Sequence, residues 1–248
     1  MASHTSVSAI RLYDIVVSSP AKPYSPNPWK VRYALNFKGV QFATEWVAQL
    51  DIPATRKRLG LDPVRFLANG EPLHTLPVLQ DVSNDKLVGD SFDIAVYLDE
   101  QYPDAPRLFH HSLGLYAAFN AHINSIFTNG VILCTQGVSF KPGTEAQCKA
   151  EFCRRANVQA WEQLVVTGEA RQGVLDAFKV ALGDAAKYFR FSEGPFLGGK
   201  APDYADMIIG GWLMFFSLTV AEWEDIRTWD NGLWGKLHDG LEPYRGTW

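Results

Sequence analysis

Apolar positions alternate along Ile10 to Val17 in the manner of a strand, and the period changes to a helical one beyond Tyr24. There Trp29, Val31, Ala34 and Leu35, with Phe37 beyond, make one apolar face, and Ser25-Pro26 supplies an N-cap followed by the residue best tolerated at the first helical position. Gly39 stops this helix, and Val40 to Val47 reads as a second strand with Phe42, Thr44 and Trp46 on one side. Gln49 to Asn69 is polar, carries Pro53, Pro63 and a small basic patch at Arg56, Lys57 and Arg58, and reads as a loop with a short helix. After the turn signal Asn69-Gly70-Glu71-Pro72, the pattern predicts a hairpin of Val78-Leu79-Gln80 and Lys86-Leu87-Val88. Gly89 ends it, and Asp90-Ser91 then opens a helix through Phe92, Ile94, Ala95, Tyr97 and Leu98, with Ser91 as the candidate cap. The order is βαβ, then ββα.

At Tyr102-Pro103 the pattern becomes wholly helical, and a domain boundary belongs near Pro103 to Leu108. Leu115 to Cys134, Ala146 to Thr167 and Gly173 to Arg190 each read as one helix. Asp203, with Asp206 three residues on, forms an acidic capping box ahead of Met207 to Val220, a helix apolar on every side and therefore buried. The tail from Trp223 to Trp248, rich in tryptophan and glycine, is expected to fold over the mouth of a site.

Two of these helices begin directly after a strand or its loop, at Ser25 and at Asp90-Ser91. A helix start exposes unpaired amides and the positive end of the dipole, so each is a place to hold an anion. On this stretch alone Ser25 reads more readily as a simple cap. An esterase reading fails, because no Gly-x-Ser-x-Gly elbow surrounds Ser25 and none of the 6 histidines is placed by sequence to serve it.

Composition narrows the class. With 248 residues, 47% of them hydrophobic, the chain can build one large core or two modest ones. A net charge of −4 with scattered Lys and Arg argues against nucleic acid as a partner. Met1 to Ser8 has no basic segment leading into an apolar one, and Met207 to Val220 is too short to span a bilayer, so a cytoplasmic location is the default expectation and no membrane partner is expected. The 3 cysteines, Cys134, Cys148 and Cys153, lack metal-ligand spacing and read as buried thiols, and His110-His111 reads as a surface feature. No metal is expected.

Four features, in this order and spacing, carry a resemblance: Ser25-Pro26, Leu76-Pro77, Asp90-Ser91 and the Asp203/Asp206 box. Over nearly its whole length the chain resembles the cytosolic glutathione transferases. The resemblance implies an α/β plus all-α fold: a thioredoxin-like domain over residues 1–104, then an all-helical domain over 105–248 contributing the hydrophobic substrate site. Ser25-Pro26-Asn27-Pro28-Trp29-Lys30 most resembles the etherase-related, fungal-specific FuA class with a catalytic serine. Pro77 would then be a cis-proline, leaving the Leu76 backbone to pair with the cysteinyl part of glutathione, although family members more often carry valine before this proline. Asp90 and Ser91 would bind the γ-glutamyl end, and Thr75 would help fix the tripeptide. Ser25 would donate a hydrogen bond to the glutathione thiolate, with Asn27 as the rival donor and Lys30 outside the site. The capping-box helix would be structural.

The electrophile would lie between the domains, against the first-helix loop, the helix from Leu115 and the tail, with Tyr24, Trp29, Phe119 and Phe127 as candidate stacking aromatics, each of which reads more readily as a core residue. The implied activity is attack of glutathione on a small hydrophobic or aromatic electrophile such as an aryl ether, isothiocyanate or hydroperoxide, in a homodimer. The alternative is a ligandin that binds aromatic wood-derived compounds with little turnover. A domain without a working site is opposed by the intact Ser25, Pro77, Asp90 and Ser91, and thiol transfer is disfavoured because serine stands where a nucleophilic cysteine is needed.

Overall fold

The computed structural model describes residues 9–18, 20–67 and 69–246; the Met1 to Ser8 segment discussed above lies outside them. A four-stranded mixed sheet forms the first layer. Strand β1 (Ile10–Val16) runs parallel to β2 (Phe42–Ala48), from Ile10 opposite Phe42 to Val16 opposite Ala48. On its other side β1 pairs antiparallel with β5 (Val78–Asp81), which pairs with β6 (Lys86–Val88). The parallel pair needs a crossover, and α1 (Pro26–Phe37) provides it. The stretch between β2 and β5 holds the short α2 (Ile52–Arg58) and a ribbon of β3 (Arg65–Phe66) and β4 (Pro72–Leu73), whose strands are too brief to leave a period in the sequence. Helix α3 (Ser91–Gln101) closes this half.

The helical half departs from expectation in two places. The predicted Leu115 to Cys134 helix is α4 (Leu113–Gly130) followed by a tighter 3-10 stretch, Val131–Gly137. The predicted Ala146 to Thr167 helix stops early: α5 (Glu145–Ala156) is ended by Asn157 in the left-handed conformation (φ 55°), which asparagine tolerates better than most residues. Beyond it lie α6 (Gly168–Ala186), α7 (Tyr204–Thr219), the single-turn α8 (Trp223–Ile226) and the kinked α9 (Trp229–Gly240).

The hydrophobic centre is α7. Its Met207, Ile208, Ile209, Leu213 and Phe216 are fully buried, worth roughly 10 kcal/mol of transfer free energy together. The capping box forms as expected: Asp203 accepts from the Ala205 amide at 2.8 Å, and Asp206 accepts from the Asp203 amide at 3.0 Å. Asp206 also accepts from the Leu197 amide at 2.8 Å, so one carboxylate stitches a neighbouring turn to the helix start. Helix α1 lies between the sheet and α7, and the close approach needs glycine: a Cβ on Gly211 would stand 2.5 Å from the Pro26 carbonyl. Among the described residues no helix is long and apolar enough to cross a membrane.

Candidate functional site

The C-terminal end of β1, the N-terminal end of β5 and the C-terminal end of β6 share one edge of the sheet. Helices α1 and α3 both begin there. The register places Tyr13 opposite Val78, so the Leu76-Pro77 peptide, which is cis, sits beside the end of β1. Tyr24 and Leu76 pack in the same small cluster with Tyr13, Ile15 and Val78, which draws the residue before Ser25 toward the residue before Pro77.

Ser25 is the N-cap of α1 with extended backbone (φ −72°, ψ 140°), and its side chain makes no capping hydrogen bond. Its carbonyl accepts from the Trp29 amide at 3.3 Å, and Pro26 and Pro28 have no N–H. Of the first-turn donors, only the Asn27 amide is left. The helix start is therefore poorer in amides than an ordinary one, and the Ser25 hydroxyl counts for more. The indole N–H of Trp29 donates to the Pro23 carbonyl at 3.2 Å and braces the loop ahead of the serine.

At α3 the cap is Asp90, not Ser91. The Asp90 carboxylate accepts from the Phe92 amide at 2.7 Å, and Ser91 becomes the first helical residue, buried, with its carbonyl accepting from the Tyr204 hydroxyl of α7 at 2.8 Å. An aspartate one residue earlier reaches the second helical amide, whereas Ser91 is already inside the helix.

A residue read as part of a small basic patch joins these two loops. Arg56, only 4% exposed, donates from Nη1 to the carbonyls of Thr75 (3.0 Å) and Gly89 (3.2 Å), and from Nε and Nη2 to that of Asp62. It thus ties the segment before the cis-proline to the segment before α3. Gly89 permits the approach, since a Cβ there would lie 3.1 Å from the guanidinium. The only sequence signal was Gly89 itself.

Lys30, expected outside the site, is fully buried between α1, α4 and α7. The aromatic expectations divide: Trp29 and Phe127 are core residues, Phe127 stacking on Trp212 at 5.5 Å, while Tyr24 and Phe119 are half-buried. Tyr24 lines a cavity of ≈ 330 Å³ with Val17, Lys22, Gly137, Val138 and Leu218, a size suited to a small ligand. Phe119 lines a different one of ≈ 320 Å³ with Leu115 and Leu197. Among the described residues none of the tail lines the Tyr24 cavity. The tail packs at the opposite end of α1, where the Asn36 amide donates to the Tyr244 and Gly246 carbonyls at 2.8 Å each.

All three cysteines are free and buried, and burial pushes the Cys134 thiol up to about 12. Both His110 and His111 are exposed. Among the described residues no group of three or more His, Cys, Asp or Glu side chains could hold a metal ion.

Comparison with known proteins bears directly on this arrangement. Residues 24–101 match the description "Glutathione S-transferase, N-terminal domain", and residues 115–244 match "Glutathione S-transferase, C-terminal domain". The chain belongs to the glutathione S-transferase family. A glutathione S-transferase of Ceriporiopsis subvermispora, CsGST63524, solved in complex with glutathione, is 32% identical, with 96% of this chain and 98% of that one covered and a TM-score of 0.86. GSTFuA2 of Phanerochaete chrysosporium is 29% identical over 96% and 98% of the two chains, with a TM-score of 0.85. Among curated proteins, the glutathione S-transferase-like protein ustS of Aspergillus flavus is 26% identical, covering 98% of this chain and 90% of that protein. This glutathione S-transferase thus has the thioredoxin-like and helical halves of its family, with fungal FuA-class enzymes among its structural neighbours.

Proposed function

We propose that this chain is a serine-type glutathione transferase, in which Ser25 donates a hydrogen bond to the glutathione thiolate as it attacks a small hydrophobic or aromatic electrophile. The observation that carries the reading is the Ser25 hydroxyl: it stands at a helix start without a capping bond, and its neighbour Tyr24 packs in one cluster with Leu76, the residue before the cis-proline. Leu76 holds the cysteinyl portion through its backbone, Thr75 helps fix the tripeptide, and Asp90 and Ser91 receive the γ-glutamyl end, where the first turn of α3 favours a carboxylate. The Asn27 side chain is the rival donor to the thiolate, and Asn27→Ala removes it. The electrophile occupies the Tyr24 cavity, and the enzyme acts as a cytoplasmic homodimer with residues 1–104 and 105–248 as its two domains.

The energetics are within reach. A thiol with an ordinary pKa near ~8.5 must be lowered by about two units to be mostly ionised at neutrality, which takes about 2.7 kcal/mol. One charge-assisted hydrogen bond contributes about 1.5–3 kcal/mol, and a helix start adds about 0.3–1 kcal/mol. The test is the pH dependence of thiolate absorbance for glutathione bound at saturation to wild type, Ser25→Ala and Asn27→Ala. Wild type should titrate well below free glutathione, and Ser25→Ala should return the midpoint most of the way. An unshifted thiol in the wild-type complex would sink thiolate activation and leave ligand binding without turnover as the role.

A further inference from the structure

Lys30 is fully buried, and among the described residues its ammonium has no ion-pair partner. Its stem rests on α7 where Gly211 leaves room, a Cβ there lying 2.8 Å from Lys30 Cγ. Its Nζ donates to Asn120 Oδ1 at 3.0 Å and Asn124 Oδ1 at 2.8 Å, both on α4. Asn124 Oδ1 also accepts from the Trp212 indole at 2.8 Å, and the Asn124 amide donates to Asn120 Oδ1 at 3.4 Å, so both oxygens are turned toward the cation. The Nζ lies 6.0 Å from the Trp212 ring centroid. Neutral groups thus meet it from α4 and α7, and the carboxylate acting on it is Asp90 at the start of α3. Burial pushes the ammonium down to about 7, with Asp90 working in the opposite direction.

Packing alone does not explain this choice. Methionine or leucine would fill the same space without a buried charge, and a carboxylate on α4 would neutralise it. What the position offers is a cation inside the protein close to the site. Lys30 is five residues beyond Ser25, about 7.5 Å along the helix, and Asp90 marks the other end of the expected ligand. The start of α1 is also short of amides, for the reason given above.

We propose that Lys30 is a positioning residue for thiolate formation: its charge, held by Asn120 and Asn124 behind the first turn of α1, lowers the pH at which a thiol bound at Ser25 ionises. The inference rests on the glutathione reading of the site. A unit charge about 10 Å away at an effective dielectric of about 20 moves a titration by about one pH unit. Coupling is reciprocal, so the bound thiolate strengthens the hold of Lys30 on its proton and keeps the pair charged together near neutrality.

The experiment is the thiolate titration of bound glutathione in wild type, Lys30→Met, Lys30→Arg and Asn120→Asp, with glutathione saturating and folding checked by circular dichroism. Lys30→Met should raise the midpoint by about one pH unit. Lys30→Arg, which cannot lose its charge, should stay at or below wild type. Asn120→Asp keeps the lysine but sets a carboxylate against it, so it should raise the midpoint without removing any packing; it also serves if Lys30→Met does not fold. Unmoved midpoints in Lys30→Met and Asn120→Asp, with wild type still well below free glutathione, overturn the role of Lys30 alone. Equal shifts in the Arg and Met variants would show that shape matters and charge does not, and would overturn it too. A wild-type midpoint equal to that of free glutathione overturns the activation reading itself.

Discussion

Replacing Arg56 tests whether one side chain sets the spacing of the two loops that should hold glutathione. In Arg56→Met the stem survives, but the carbonyls of Asp62, Thr75 and Gly89 lose the donors that reach them at 2.7–3.2 Å. Each hydrogen bond from a charged donor contributes about 1.5–3 kcal/mol. Solvent can rescue part of that loss, so the net cost should be about 3–5 kcal/mol. The cis-proline segment and the start of α3 then move independently, and ordering them again at binding should weaken glutathione at least about tenfold, equivalent to 1.4 kcal/mol. Denaturant unfolding gives the first quantity and calorimetric titration with glutathione the second. Arg56→Lys separates charge from geometry. A single ammonium cannot bridge two carbonyls on one side and a third on the other, so it should bind glutathione little better than methionine does. If Arg56→Met loses stability yet binds glutathione with wild-type affinity, the loops are held apart from Arg56 and the reasoning is wrong.

Two further changes probe the frame. Gly211→Ala places a methyl 2.5 Å from the Pro26 carbonyl and should cost roughly 1–3 kcal/mol by prising α1 from α7, seen as a lower melting temperature, whereas Gly198→Ala meets open space and should be near neutral. Asp206 is fully buried and burial raises its pKa from 3.8 to about 7, so its folded form holds a proton more tightly than its unfolded form. The contribution of that proton is fully present below the unfolded pKa and is lost as pH rises from about 4 to about 7, by up to about 4 kcal/mol. Comparing unfolding free energies of wild type and Asp206→Asn across that window should show wild type losing stability relative to the variant as pH rises; a difference independent of pH contradicts the assignment.

Features that act within a few residues of themselves could be read directly. Ser25-Pro26 marks a helix start and Asp203 with Asp206 marks a capping box, because N-cap chemistry is local. The two-residue strands β3 and β4 leave too little period to see, and the end of α5 depended on Asn157 taking a left-handed conformation in an otherwise helical run. Asp90 and Ser91 are adjacent, and which one caps depends on a single residue of register. Arg56 reads only as part of a small basic patch, and Lys30 as lying outside the site. Their burial comes from distant acceptors, at Thr75 and Gly89 for one and at Asn120 and Asn124 for the other. Such partners, tens of residues away, leave no periodic trace. The glycines opposite each, Gly89 and Gly211, are the residue-level marks of that crowding.

The guanidinium shared by Thr75 and Gly89 also limits how this protein can be re-engineered. Loops are ordinarily the interchangeable parts of a scaffold, swapped one at a time between relatives. Here the cis-proline loop and the loop before α3 are wired to one residue on α2, with Gly89 as the clearance that lets the wire through. A graft that imports either loop alone breaks its match to the other. The portable unit is the pair together with α2, and homologous recombination that respects this should place its crossovers outside residues 56–91.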